Sequence, residues 1–145
     1  MLEAAVRARD IAQAAGRRTK LIAVTILTSL DDSDMRIIGY SDASANEAAL
    51  RLAGLAKAAG LDGVVCSPHE ITRMKKLYGS QFTLVTPGVR PSWSEKGDQK
   101  RVFTPSDAIK DGADYIVVGR PITKAEVPAE AYASIISEME DGRDA

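Results

Sequence analysis

At 145 residues the chain is one domain or part of one, and its apolar share of 45% and charged share of 27% are those of an ordinary soluble globular protein. A formal net charge of −1 gives no reason to expect nucleic acid or an anionic membrane as partner, and no apolar run approaches the roughly 18 residues of a spanning helix or forms a signal-peptide core. With one cysteine and one histidine neither an internal disulfide nor a zinc constellation is available, and the expected compartment is the cytoplasm.

Residues Met1 to Ala15 are alanine-rich, with Leu2, Val6 and Ile11 on one helical face and Gly16 as a stop. A basic stretch, Arg17 to Lys20, leads into Leu21–Leu27, which reads as a strand apolar on both faces. The acidic turn Asp31-Asp32-Ser33-Asp34 predicts the start of a short helix through Ile38. After a loop, Ser44 and Glu47 form a capping box for a helix that runs to Ala59 and stops at Gly60. The strand Gly63–Cys66 follows, and Ser67-Pro68-His69-Glu70 opens the next helix, with Ser67 as cap and Pro68 at the first helical position. Gly79 ends it before the strand Phe82–Val85. A long polar loop, Arg90 to Arg101, precedes a helix opened by Thr104 and ended by Gly112. The last strand is Tyr115–Val118, Pro128 starts a final helix, and Glu138 onward reads as a charged tail.

Two turns stand out. Thr86-Pro87-Gly88-Val89-Arg90-Pro91 follows the strand Phe82–Val85, and Gly119-Arg120-Pro121-Ile122-Thr123 follows Tyr115–Val118. Both apolar runs read as buried parallel strands. Glycine lets backbone approach a ligand closely, and arginine offers a planar donor fork suited to phosphate. In a (β/α)8 barrel the phosphate site is frequently built from the loops after the last two strands, which is where these turns fall if Tyr115–Val118 closes the sheet. A faint repeat supports regular architecture: Gly60-Leu61-Asp62 and Gly112-Ala113-Asp114 each precede a strand. Four strands alternating with helices imply an α/β fold with a parallel sheet and right-handed crossovers, half of the eight strands such a barrel takes. The expectation is therefore one half-barrel over residues 1–145, the C-terminal half of a TIM barrel. Its first half is then absent, cleaved or supplied by another chain.

The stretches Leu84–Pro91, Gly97-Asp98-Gln99-Lys100-Arg101 and Asp114–Thr123, with Leu21–Ser29 and Gly60–Ser67 upstream, resemble the orotidine 5′-monophosphate decarboxylases of the bacterial type. The likeness runs from Met1 to Ala131. The glycine-arginine turn is shared with other phosphate-binding barrels, whereas Thr86–Pro91 combined with Asp98-Gln99 is more specific. The resemblance implies a cofactor-independent carboxy-lyase that converts orotidine 5′-monophosphate to UMP in pyrimidine biosynthesis. It also implies a homodimer, with neither nucleic acid nor membrane as partner. Carried over by motif, Thr28 faces the nucleotide near pyrimidine and ribose, and Arg90 and Arg120 bind the phosphate. Gly119 gives it a backbone N–H, Gln99 reaches phosphate and base from a mobile loop, and Pro87 walls the pyrimidine pocket. Gly88 and Gly97 are the implied hinges.

The family's catalytic centre is an Asp–Lys–Asp array containing Asp-x-Lys-x-x-Asp on an early strand, and this sequence has no such motif. Asp98-Gln99-Lys100-Arg101-Val102-Phe103 is the nearest echo, with Phe103 in the place of the last aspartate. No catalytic residue is therefore expected in this chain, whose part is the phosphate- and nucleotide-binding half. The alternative is a non-catalytic half-barrel that binds a nucleotide or sugar phosphate, and a third reading is a fragment that self-associates to cover its sheet edges. The missing half or another copy of the chain is the expected protein partner. Asp31, Asp32 and Asp34 read as a helix start instead of a metal site, His69 has no nucleophile near it, and Cys66 reads as a small buried residue. Trp93 is left open between a loop tip and a packing contact. Leu2–Ala15 reads as a plain outer helix, with an interface role as the other possibility.

Overall fold

The computed structural model describes residues 1–94 and 103–144. Short β-branched runs gather into one sheet of four parallel strands in sequential order: β1 (Ile22–Val24), β2 (Gly63–Val65), β3 (Thr83–Pro87) and β4 (Tyr115–Val117). The register places Ile22 beside Gly63, Gly63 beside Thr83 and Val85 beside Tyr115. Between and around the strands lie α1 (Leu2–Ala14), α2 (Asp32–Ile37), α3 (Ala45–Ala58), α4 (Ile71–Tyr78, entered through a 3-10 turn at Pro68–Glu70), α5 (Pro105–Lys110), α6 (Arg120–Thr123) and α7 (Pro128–Arg143). The alternation gives the expected half of an eight-stranded α/β barrel.

Strand side chains alternate between the two faces of a sheet. One face is the core, where Val64 and Leu84 are fully buried against alanines 48, 49, 53 and 56 of α3, with Ile71 and Met74 of α4. Each such aliphatic side chain adds roughly 1.5–3 kcal/mol by leaving water. The small residues of α3 let it lie close to its neighbours, to the point that a methyl on Gly54 would sit 3.1 Å from the Tyr78 hydroxyl. The other face is uncovered. There Val24 is 61% exposed, Tyr115 53% and Val117 51%.

The helix starts follow the sequence. Asp31 with Asp34, Ser67 with Glu70 and Thr104 with Asp107 form reciprocal capping boxes. Ser44 caps Glu47 N–H, but Glu47 turns its carboxylate to Arg73 instead of closing the box. Four expectations need correction. β1 spans three residues instead of Leu21–Leu27, because it is an edge with one partner and the chain leaves it through a turn that bonds Leu30 N–H to Leu27 C=O. Tyr115–Val117 is not a buried strand: Tyr115 and Val117 are exposed on the second face of the sheet among the described residues. The Gly119–Thr123 turn carries one helical turn, α6, for which Pro121 is suited. Glu138 onward is not a tail: α7 continues to Arg143, and its Gly142 packs on Ser106, whose carbonyl oxygen lies 2.5 Å from where a Cβ would stand.

The repeated Gly-x-Asp has a structural meaning. Asp62 Oδ2 accepts the Leu21 N–H at 2.7 Å and its own N–H donates to Leu21 C=O. Asp114 does the same to Leu84, at 2.7 Å and 3.1 Å. Each carboxylate also takes a cation from the helix before the clipped strand, Arg9 at 2.8 Å and Lys75 at 2.7 Å. The glycines ahead of them, Gly60 and Gly112, have φ of +91° and +106° and end their helices alike. The same clip thus recurs in the two halves of the chain.

Candidate functional site

Parallel strands end on the same side, so Thr28 after β1, Pro87 and Arg90 at the end of β3, and Gly119 and Arg120 after β4 all belong to one end of the sheet. β3 and β4 are hydrogen-bonded neighbours, so the two arginine turns spring from adjacent strands about 4.8 Å apart. Gly88 has φ of +79°, and Thr28 Oγ1 lies 4.0 Å from the position its Cβ would take, so the β1 and β3 loops meet. Gln99 and Gly97 lie outside the described residues, as does the Asp98-Gln99-Lys100 echo.

Arg90 is held by its backbone. Its N–H donates to Phe103 C=O at 2.9 Å, which ties together the two ends of the segment that links β3 to α5. The Phe103 ring stands edge-on to His69, with centroids 5.6 Å apart. Just beyond Arg90, Ser92 donates through its N–H and its hydroxyl to the Glu138 carboxylate of α7, the hydroxyl at 3.0 Å. Pro91 is fully buried between these ties. Arg120 opens α6, with Gly119 as the residue before it, and both are exposed. Arg9, Arg51 and Arg73 each pair with a carboxylate, whereas neither Arg90 nor Arg120 does so among the described residues. Two uncommitted guanidinium groups at one mouth suit a multiply charged oxyanion.

Two titratable groups that follow β2 are buried. Cys66 is 1% exposed and burial pushes its thiol up to about 12, so it is no nucleophile at neutral pH. Burial likewise pushes the Glu70 carboxyl up to about 7, against the opposing Ser67 N–H bond. The acidic turn is a helix start: Asp31 accepts from Ser33 and Asp34, its carboxyl is lowered chiefly by the Ser33 hydroxyl, and Asp32 accepts the Ala45 N–H at 2.8 Å. No group of three or more His, Cys, Asp or Glu residues suited to a metal occurs among the described residues. Trp93 is 49% exposed, beside Val127 and Glu130 at the start of α7. The ties from Phe103 and Glu138 escaped sequence reading, because partners 13 and 46 residues apart leave no periodic trace.

The family model for orotidine 5′-phosphate decarboxylase and the HUMPS family matches residues 1–135. The chain belongs to this family. It is 59% identical over 115 residues to the orotidine 5′-phosphate decarboxylase of Actinobacillus succinogenes, covering 79% of this chain and 49% of that one. Against the Sodalis glossinidius enzyme of the same name it is 55% identical over 122 residues, with coverage of 84% and 48%. The crystal structure of orotidine 5′-phosphate decarboxylase from Lactobacillus acidophilus superposes with a TM-score of 0.72 at 41% identity, over 86% of this chain and 51% of that one. The chain spans about half the length of the curated decarboxylases it matches.

Proposed function

We propose that this chain supplies the phosphate- and nucleotide-binding half of an orotidine 5′-phosphate decarboxylase, acting in the cytoplasm on orotidine 5′-monophosphate in pyrimidine biosynthesis. The observation that carries the reading is the pair of arginines without a carboxylate partner among the described residues, Arg90 and Arg120, in the turns that follow neighbouring parallel strands and open at one end. Arg90 and Arg120 grip the phosphate, Gly119 N–H adds a third donor, and Thr28 and Pro87 face the ribose and pyrimidine. Gln99 reaches the ligand from the segment between β3 and α5. No described helix is long and apolar enough to cross a membrane, which is compatible with that compartment.

In the reaction the bond from pyrimidine C6 to the carboxylate breaks, its electron pair stays on C6, and a proton replaces CO2. This half holds the remote phosphate, and that binding energy is used to fix the reacting ring. The proton donor and the crowding carboxylates belong to complementary polypeptide, from a partner half-barrel or a second barrel of a homodimer. Thermal unfolding with UMP tests the binding step. Saturating UMP should raise Tm by several degrees, since ligand at about 100 times Kd adds about 2.7 kcal/mol. Arg120→Ala should abolish most of that rise without lowering the ligand-free Tm. Equal shifts in the two proteins would remove Arg120 from the site. Mixing the chain with an N-terminal half of a family enzyme and following CO2 release tests the decarboxylase reading against that of a non-catalytic phosphate binder.

A further inference from the structure

Directly beyond Arg90 the chain makes a turn, Pro91 to Ser94, in which Pro91 C=O accepts the Ser94 N–H at 3.1 Å and the Ser94 hydroxyl at 3.0 Å. Pro91 is fully buried. Glu138 of α7 holds the turn from outside. It accepts the Ser92 N–H with both carboxylate oxygens, at 3.2 and 3.3 Å, and the Ser92 hydroxyl at 3.0 Å. Hydrogen bonds to a carboxylate are stronger than those between neutral groups, and two donors from one residue fix orientation as well as distance. The helix is arranged to receive the turn. Val127, Ala131, Ser134 and Glu138 recur at three- and four-residue spacing and so share one face of α7 and its start. Trp93 lines a cleft with the first three of them, and Glu138 continues the same row. The adjoining stripe holds the buried Ile135 and Gly142, the latter packed on Ser106 of α5. α7 thus rests on α5 with one stripe and carries the turn on the next.

We propose that Glu138 is a positioning residue for Arg90, acting through the Pro91–Ser94 turn, and that Trp93 reports its placement. The inference deepens the reading of Arg90 as a phosphate ligand and rests on that reading for its binding arm. The Arg90 backbone is bonded through its own N–H to Phe103 C=O, and two residues later the Ser92–Glu138 anchor fixes the chain again. A guanidinium carried on a fixed backbone has only its own rotamers to settle when it meets an anion, so less freedom is lost on binding. Without the carboxylate the turn keeps its internal Pro91–Ser94 bonds but loses its seat on α7, and Arg90 shifts with it. A carboxylate touching a phosphate would repel it. The role that suits Glu138 is therefore to place the arginine.

Trp93 is the only tryptophan of the chain, so tryptophan emission from the full chain comes from the turn alone and is read without ligand. Glu138→Ala should shift that emission to longer wavelength and increase its quenching by acrylamide, with far-ultraviolet circular dichroism unchanged. Glu138→Gln, whose amide oxygen still accepts from Ser92, should restore most of the wild-type spectrum. Ser92→Ala removes the hydroxyl, keeps the N–H and should give an intermediate change. In calorimetric titration with UMP, Glu138→Ala should weaken binding about tenfold and Glu138→Gln by less than about threefold. An unchanged emission in Glu138→Ala, an unchanged UMP affinity beside a changed emission, or a glutamine variant as impaired as the alanine one overturns the proposal. If the emission responds as expected and the unaltered chain binds no UMP, the phosphate reading of Arg90 falls, while the anchoring of the turn by Glu138 stands.

Discussion

Glu70 is 4% exposed, and its hydrogen bond among the described residues is from Ser67 N–H at 2.9 Å. Burial raises its carboxyl from 4.5 to about 7. A carboxyl whose folded-state value is raised binds its proton more tightly in the native chain, so its contribution is fully present below pH 4.5 and is lost as pH rises towards 7. A shift of that size corresponds to about 3 kcal/mol. Urea unfolding between pH 4.5 and 7.5 should therefore show wild-type stability falling with pH relative to Glu70→Gln, which keeps an acceptor for Ser67 and cannot ionise. Parallel slopes would mean that the carboxyl is solvated. Single residues were unevenly legible in the sequence. The Ser67–Glu70 box could be read from spacing, but its burial could not, since depth depends on which helices pack across β2 and β3. Arg90, Arg120 and Gly119 were visible because glycine and proline mark their turns. Ser92 and Glu138 were not, because their meeting depends on where α7 crosses the mouth.

At the scale of elements, the aspartate clips join consecutive strands more specifically than apolar pairing does. Removing either carboxylate leaves a strand-start N–H without its acceptor and a cation without its partner, at a cost of about 1–3 kcal/mol. Asp62→Ala and Asp114→Ala should each lower the free energy of unfolding by that amount in denaturant titration, and the double variant by their sum, because the sites share no partner. Strong non-additivity would show that the two clips are coupled through β2 and β3. Strand order and helix starts could be read from the chain because turn residues and capping boxes are local chemistry. The length of β1 and the exposure of β4 could not. An apolar run such as Leu21–Leu27 looks the same whether a second sheet partner is present or absent. The continuation of α7 past Glu138 was hidden for a similar reason: its charged exposed side hides Ile135 and the Gly142 contact with α5.

At the scale of the whole molecule, one face of the sheet is packed under α3 and α4, while Val24, Tyr115 and Val117 on the other are exposed. Both arginine turns, after β3 and after β4, leave the sheet at the same end. The staple from Arg90 N–H to Phe103 C=O, reinforced by Ser92 on Glu138, has a consequence for chain continuity. Because contacts among the described residues fasten both ends of the intervening segment, lengthening or severing the polypeptide between residues 94 and 103 should leave Arg90 in place. Two fragments divided there should co-purify and keep the melting temperature of the uncut chain within a few degrees.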